Sequence, residues 1–286
     1  MEVKKERHIL LNVIIFIIVC FTFMFLYAKY VGIKGIKVKE YKVESKILTQ
    51  NFSGIKIVHF SDLLYKSTIN LEDIKELVDK INTLKPDIVV FTGDLVNKNY
   101  KIKEDDKNKL IDELSKIEAK INKYAIYGDY DFSNIYYEEI MTKSGFIILY
   151  NSYEEIYYKA NESIYIVGLP SSIKEKIDLN KAFEFYSDEN RKYTILLIHD
   201  GNTMKYLNDS SYEIDLILGG HSLNGSIVLP YFGGVFIDKD SYKYSNEYYN
   251  KGITDIYISS GLGTNKYQYR LGNKPSFNLY RLKAQS

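Results

Sequence analysis

Five separated apolar runs in this chain each stop at a carboxylate or an imidazole. "GIKIVHFSD" ends at Asp62, "PDIVVFTGD" at Asp94, and "KYAIYGDYD" in Gly128, Asp129, Tyr130 and Asp131. "YTILLIHD" ends at His199 and Asp200, and "IDLILGGH" at His221, on a turn that Gly219 and Gly220 allow to bend sharply. In open α/β sheets, ligands sit in the crevice beyond the carboxyl ends of the strands, so residues far apart in the chain converge there. A group of Asp and His without Cys suits Mn, Fe or Zn held through oxygen and nitrogen. A single Asp at a strand end is ordinarily a turn residue or a helix cap. A single His after an apolar run is ordinarily a hydrogen-bonded structural group. Five such endings in one chain go beyond both explanations. His59 lies inside its strand on the core face and reads as structural.

Short apolar runs alternating with amphipathic helices must position these groups, which predicts an α/β domain. One helix is expected over Leu71–Leu84, with Ile74, Leu77, Val78, Ile81 and Leu84 on one face. Asn70 is its N-cap, and Lys85-Pro86 stops it. A second is expected over Lys107–Asn122, with Leu110, Ile111, Leu114, Ile117 and Ile121 inward. Ahead of them, "KVKEYKVE" alternates as a polar strand.

At 286 residues the chain has material for a sizeable core. A net charge of +1 advertises no basic patch, which argues against nucleic acid as a partner through bulk electrostatics. Cys20 is the sole cysteine and lies in an apolar segment, so no disulfide framework exists. Ile9–Ala28 carries no charge, and as a helix it spans about 30 Å, the hydrocarbon thickness of a bilayer. Its apolar stretch is long for a cleaved signal and no A-x-A site follows, so a retained transmembrane anchor is the reading. Tyr27 and Tyr30 then sit at the interface. Lys4, Lys5 and Arg7 on one flank nearly balance Lys29, Lys34, Lys37 and Lys39 on the other. A short tail inside and the domain on the extracytoplasmic side is the orientation expected. The division is thus a tail over 1–8, an anchor over 9–28, a tether and first strand over 29–54, and the main domain over 55–286.

The order of these motifs resembles the calcineurin-like metallophosphoesterase family, in particular its membrane-anchored bacterial branch, which includes phosphodiesterases of lipid-linked substrates. That family's signature runs D-x-H, G-D, G-N-H-D, a strand-end H, and G-H-x-H. Here those places read Asp62-Leu63-Leu64, Gly93-Asp94, Gly128-Asp129-Tyr130-Asp131, His199, and Gly220-His221-Ser222-Leu223. The closing "YISSGLGTNKYQYRLGNKPS" is similar to the branch's end, and the resemblance covers about Lys37 to Leu282. It implies a four-layer α/β/β/α sandwich with metals at one end, preceded by one N-terminal transmembrane helix.

Carried over by position, the resemblance implies one metal site made by Asp94, Asp129, His199 and His221. It implies a second site made by Asp62, Asp94 and the places of Leu64 and Leu223, where both imidazoles are missing. One divalent cation rather than two is therefore expected. Tyr130 stands where the family has the histidine that assists the phosphate or leaving group, and Asp131 matches the acid that orients it. A tyrosine, with an ordinary pKa of about 10, is a poorer proton donor near neutrality. Two readings follow. One is a membrane-anchored, metal-dependent phosphoesterase of reduced activity, whose phosphoester substrate is lipid-linked. The other is a catalytically inactive member that keeps the fold as a membrane-bound ligand- or protein-binding module.

Overall fold

The computed structural model describes residues 2–159, 161–187, 189, 191–208, 210–229, 231, 233–235, 243–265 and 267–285, with side chains from residue 6 onward. Its body is two mixed six-stranded sheets. The first has the order β1 (Lys37–Ser45), β14 (Ser276–Ala284), β2 (Lys56–Phe60), β3 (Ile88–Phe91), β4 (Asn122–Ala125), β5 (Phe146–Ile148). The second has the order β12 (Tyr248–Lys251), β13 (Thr254–Ile258), β9 (Leu216–Gly219), β8 (Thr194–Leu197), β7 (Ser163–Gly168), β6 (Ser152–Tyr157). A short antiparallel pair, β10 (Ile227–Leu229) and β11 (Gly233–Val235), lies outside both.

The central strands are apolar at nearly every position because both of their faces are covered. In β3, Ile88 and Val90 point between the sheets, while Val89 and Phe91 point to the helices α2 (Leu71–Leu84), α3 (Glu104–Leu114) and α4 (Tyr137–Lys143). In β8, Ile195 and Leu197 face the first sheet, and Leu196 packs outward with Ala182 of α5 (Leu179–Ala182) and Met204 of α6 (Met204–Leu207). Three apolar clusters thus separate four layers, the α/β/β/α sandwich expected. His59 is buried between the sheets, with Nε2 2.9 Å from Thr92 Oγ1, and burial holds its pKa down at about 3. Its role is structural, as its place in the strand predicts.

Helix α2 has the expected limits. Asn70 Oδ1 accepts from the amides of Glu72 and Asp73, and the Asp73 carboxylate accepts in return from the Asn70 amide. Helix α3 differs from the expected Lys107–Asn122. It starts a turn earlier, where Glu104, Asp105 and Asp106 complement the helix dipole, and ends at Leu114. Ile117 is buried but lies beyond that end, and the Ile121 amide already bonds Asp87 O on the way into β4. Ile117 still packs into the helix-side cluster, whereas Ile121 has turned to the cluster between the sheets. Strand β1 runs parallel to β14 over its whole length and forms an edge of the first sheet.

The N-terminal helix α1 (Glu2–Leu26) continues through a π-turn over Tyr27–Val31. Glu6–Val31 is long and apolar enough to cross a membrane, and its most apolar stretch is unburied. Its end is docked. The Arg270 amide bonds Ala28 O at 3.0 Å, Phe25 and Tyr269 rings lie 5.1 Å apart, and Ala28 is buried. Gly32 makes the approach possible, since a Cβ there would fall 1.8 Å from Arg270 O.

Candidate active site

The strand tips meet at one edge of the sandwich, and the two sheets touch there. His199, after β8, sends Nδ1 to within 2.7 Å of Thr92 O, after β3. That carbonyl accepts a hydrogen bond from Nδ1–H, which fixes the ring and turns Nε2 inward. His199 Nε2 then lies 3.3 Å from His221 Nδ1 and 3.5 Å from an Asp94 oxygen. One ligand atom from each of Asp94, His199 and His221 lies within 4.8 Å of the others. Asp129 joins from a third side, with carboxylate oxygens 3.3 Å from His221 Nδ1 and 4.0 Å from His199 Nε2. Asp62 stands one step back, where Oδ2 accepts the His221 backbone amide at 3.0 Å.

The charge pattern of this pocket fits a cation. Burial opposes a charge on His199, but Asp94, Asp129 and Asp62 outweigh it and hold the imidazole pKa well above its usual value. Burial raises the Asp62 carboxyl, with Asp94 adding to the shift against His199. Two buried imidazoles among three buried acids are a hard-donor set of the kind divalent cations take. The backbone supports the same reading. Asp62, Asp94, His221 and Asn224 all adopt positive φ, between 48° and 65°, in the loops that aim them.

Asp131 does not orient the Tyr130 ring, contrary to the expectation from sequence. Its Oδ2 accepts from the amides of Asp94 and Gly128 at 2.7 and 2.8 Å, and its Oδ1 from Leu95 at 2.9 Å. Those bonds use the carboxylate to brace the Asp94 loop. Burial and the nearby Asp94 charge still push its pKa up to about 7, against the three amides. Asp131→Asn places an NH2 group against a backbone N–H. It should weaken Mn²⁺ affinity about 10–100-fold, the usual cost of losing an outer partner, as titration calorimetry will show.

The Tyr130 hydroxyl instead donates to Asn265 Oδ1 at 3.0 Å, while the Tyr130 backbone amide donates to Asp94 Oδ1 at 2.9 Å. Burial, and then Asp94, raise the phenol pKa further above its ordinary value. Sequence reasoning missed Asn265 and also Ser171, whose hydroxyl bonds Asp129. The signal for Ser171 was present, because "YIVGLPS" is a further apolar run ending at the same edge. It went unread because serine has no ligand signature of its own. Arg270 lies in the closing stretch that resembles the branch's end, and the structure gives it a role. It is wholly buried, and its guanidinium donates to the carbonyls of Ser260, Gly261 and Gly263, shaping the loop against Asp62.

A two-sheet sandwich with acids and imidazoles gathered at its strand tips is an arrangement that metal-dependent phosphoester hydrolases use. The chain belongs to the calcineurin-like phosphoesterase family, whose model matches residues 55–225. It is 31% identical over 261 residues to metallophosphoesterase YkuE of Bacillus subtilis, covering 90% of this chain and 89% of that one. It is 25% identical to the UDP-2,3-diacylglucosamine pyrophosphatase LpxG of Chlamydia muridarum, covering 62% of this chain and 66% of that protein. Among solved structures, the calcineurin-like phosphoesterase YfkN of Bacillus subtilis aligns over 73% of this chain and 82% of that one, at 15% identity and a TM-score of 0.44. The family implies divalent metal use.

Proposed function

We propose that this protein is a membrane-anchored phosphoester hydrolase working with one divalent cation, of Mn, Zn or Fe, held by Asp94, Asp129, His199 and His221. The observation that carries this is the inward-turned His199 Nε2, fixed by Thr92 and facing Asp94, Asp129 and His221 within 4.0 Å. A cation there supplies charge stabilisation for the phosphoryl oxygens and an activated water. In hydrolysis a water oxygen bonds to phosphorus, the P–O bond to the leaving group breaks, and the leaving oxygen needs a proton unless it is already a stable anion. Tyr130 supplies that proton poorly, because its hydrogen is committed to Asn265 and its pKa is raised. A positioned general acid is worth about 10²–10⁴-fold. The enzyme is therefore selective for good leaving groups, such as activated esters or a pyrophosphate, and slow on simple alkyl esters. Asp131 acts through the Asp94 loop. The N-terminal helix holds the domain at the bilayer, on the extracytoplasmic side.

The rival reading, an inactive binding module, draws on Leu64, Leu223 and Tyr130, three departures at groups the chemistry uses. The full-length protein in detergent separates the two. It should take up about one Mn²⁺ per chain and then turn over bis(p-nitrophenyl) phosphate, with EDTA abolishing the turnover. Uptake should tighten with rising pH, because the proton on His199 must leave before Nε2 can coordinate. Calorimetry showing no uptake sinks the hydrolase reading.

A further inference from the structure

A cavity of about 410 Å³ opens between the N-terminal helix and the site loops. Phe21, Met24 and Phe25 form its helix wall, at i, i+3 and i+4 on one face. Leu223, Ile227 and Leu271 form the facing wall, and His221 and Asn265 stand at its polar end. We propose that this cavity is the slot for the hydrocarbon chain of a lipid phosphoester. The membrane helix then forms half of the substrate site. The inference rests on the reading of the site as a phosphoester centre and adds the place where a lipid-linked substrate's chain lies and the residues that hold it.

The occupant follows from three features. The helix wall belongs to the last turns of Glu6–Val31, the stretch suited to a bilayer, so the slot opens sideways where acyl chains already lie. The volume is in the range of single small-molecule sites, which fits one flexible chain and excludes a helix. The apolar lining also runs up to the chemistry. Leu223, at the place of a missing imidazole, is part of the facing wall, and His221 is two residues away. Losing a metal ligand there has gained a surface for a hydrocarbon chain.

The wall and the chemistry form one unit. Arg270 donates in two directions: its backbone amide holds Ala28 O on the helix, while its guanidinium holds the carbonyls of Ser260, Gly261 and Gly263 beside Asp62. A chain lying along Phe21, Met24 and Phe25 therefore has its headgroup set against His221 at a fixed depth.

The test uses full-length protein in phosphatidylcholine nanodiscs and hexadecyl phosphate carrying a diazirine near its chain end. Photolysis should label the domain-side peptides containing Ile227 and Leu271, as well as the helix, which touches lipid in any case. Unlabelled hexadecyl phosphate should compete, and inorganic phosphate should not. Met24→Trp, which fills the slot, should cut domain-side labelling about tenfold, the loss expected when roughly two methylenes of apolar burial are given up. It should also lower kcat/KM for hexadecyl p-nitrophenyl phosphate about tenfold more than for bis(p-nitrophenyl) phosphate. No labelling at Ile227 and Leu271, or labelling that Met24→Trp leaves unchanged, overturns the slot. Labelling that competes in a protein without turnover upholds the slot and removes the hydrolase reading. Turnover of the soluble ester without domain-side labelling does the reverse.

Discussion

His199→Ala is expected to leave the chain without measurable Mn²⁺ uptake and to reduce metal-dependent phosphodiester turnover by more than about 100-fold, since losing only an outer partner of a ligand already costs about 10–100-fold. The reasoning is local. His199 is fully buried, its Nδ1 is spent on Thr92 O, and its Nε2 is the group to which Asp94, Asp129 and His221 all come close. Alanine leaves those acids facing one another across a buried gap, where their mutual repulsion is poorly screened. The cation then has no central donor. His199→Gln is the companion variant: it keeps a polar group against Thr92 and separates loss of ligation from loss of fold. If thermal melts show His199→Gln folded and calorimetry shows it still taking up one Mn²⁺ at the native affinity, His199 is not a ligand and the four-residue site is wrong.

The second large effect runs the other way. Leu64→His combined with Leu223→His should raise Mn²⁺ stoichiometry towards two and turnover of bis(p-nitrophenyl) phosphate by about 100-fold. Several kcal/mol of charge stabilisation come with a second cation, and each 1.36 kcal/mol is tenfold. Both leucines are buried against the glycine loop that follows β13. A Cβ at Gly261 would fall 2.4 Å from Leu223 Cδ2 and 2.9 Å from Asp62 Cβ, and one at Gly263 would fall 2.5 Å from Leu64 Cβ. Leu64 and Leu223 sit at φ 46° and 51°, a conformation that leucine disfavours and histidine tolerates better. Asn224, buried beside Leu223, has a side-chain carboxamide with no hydrogen-bond partner among the described residues, a further polar group at hand for a cation. Each single replacement should give much less, because one imidazole with Asp62 and Asp94 still leaves an open donor set. No gain in the pair, with the protein folded and one Mn²⁺ bound, means that the pocket has closed over the second position.

The sandwich was legible in the sequence because its strands are short apolar runs with chemistry at their ends, a pattern that survives without knowing which strands pair. Asp94, Asp129, His199 and His221 were readable for the same reason, since each follows directly on its run. Helix α3 was misplaced because Ile117 and Ile121 keep a helical period while lying in a loop. Asp131 was assigned to the wrong neighbour because spacing places it next to Tyr130, whereas its oxygens are drawn by the amides of Asp94, Leu95 and Gly128. The contact between the N-terminal helix and Arg270 joins residues more than two hundred positions apart through backbone atoms. No side-chain pattern encodes it.

The Ala28–Arg270 bond has a practical cost for anyone seeking a convenient soluble fragment. Trimming the chain ahead of Lys37 removes Ala28 and the close-fitting Gly32, and with them the strut that steadies Tyr269, Arg270 and the loop behind Asp62. Such a fragment will report on a slackened centre, and a weak signal from it will say little about the intact enzyme.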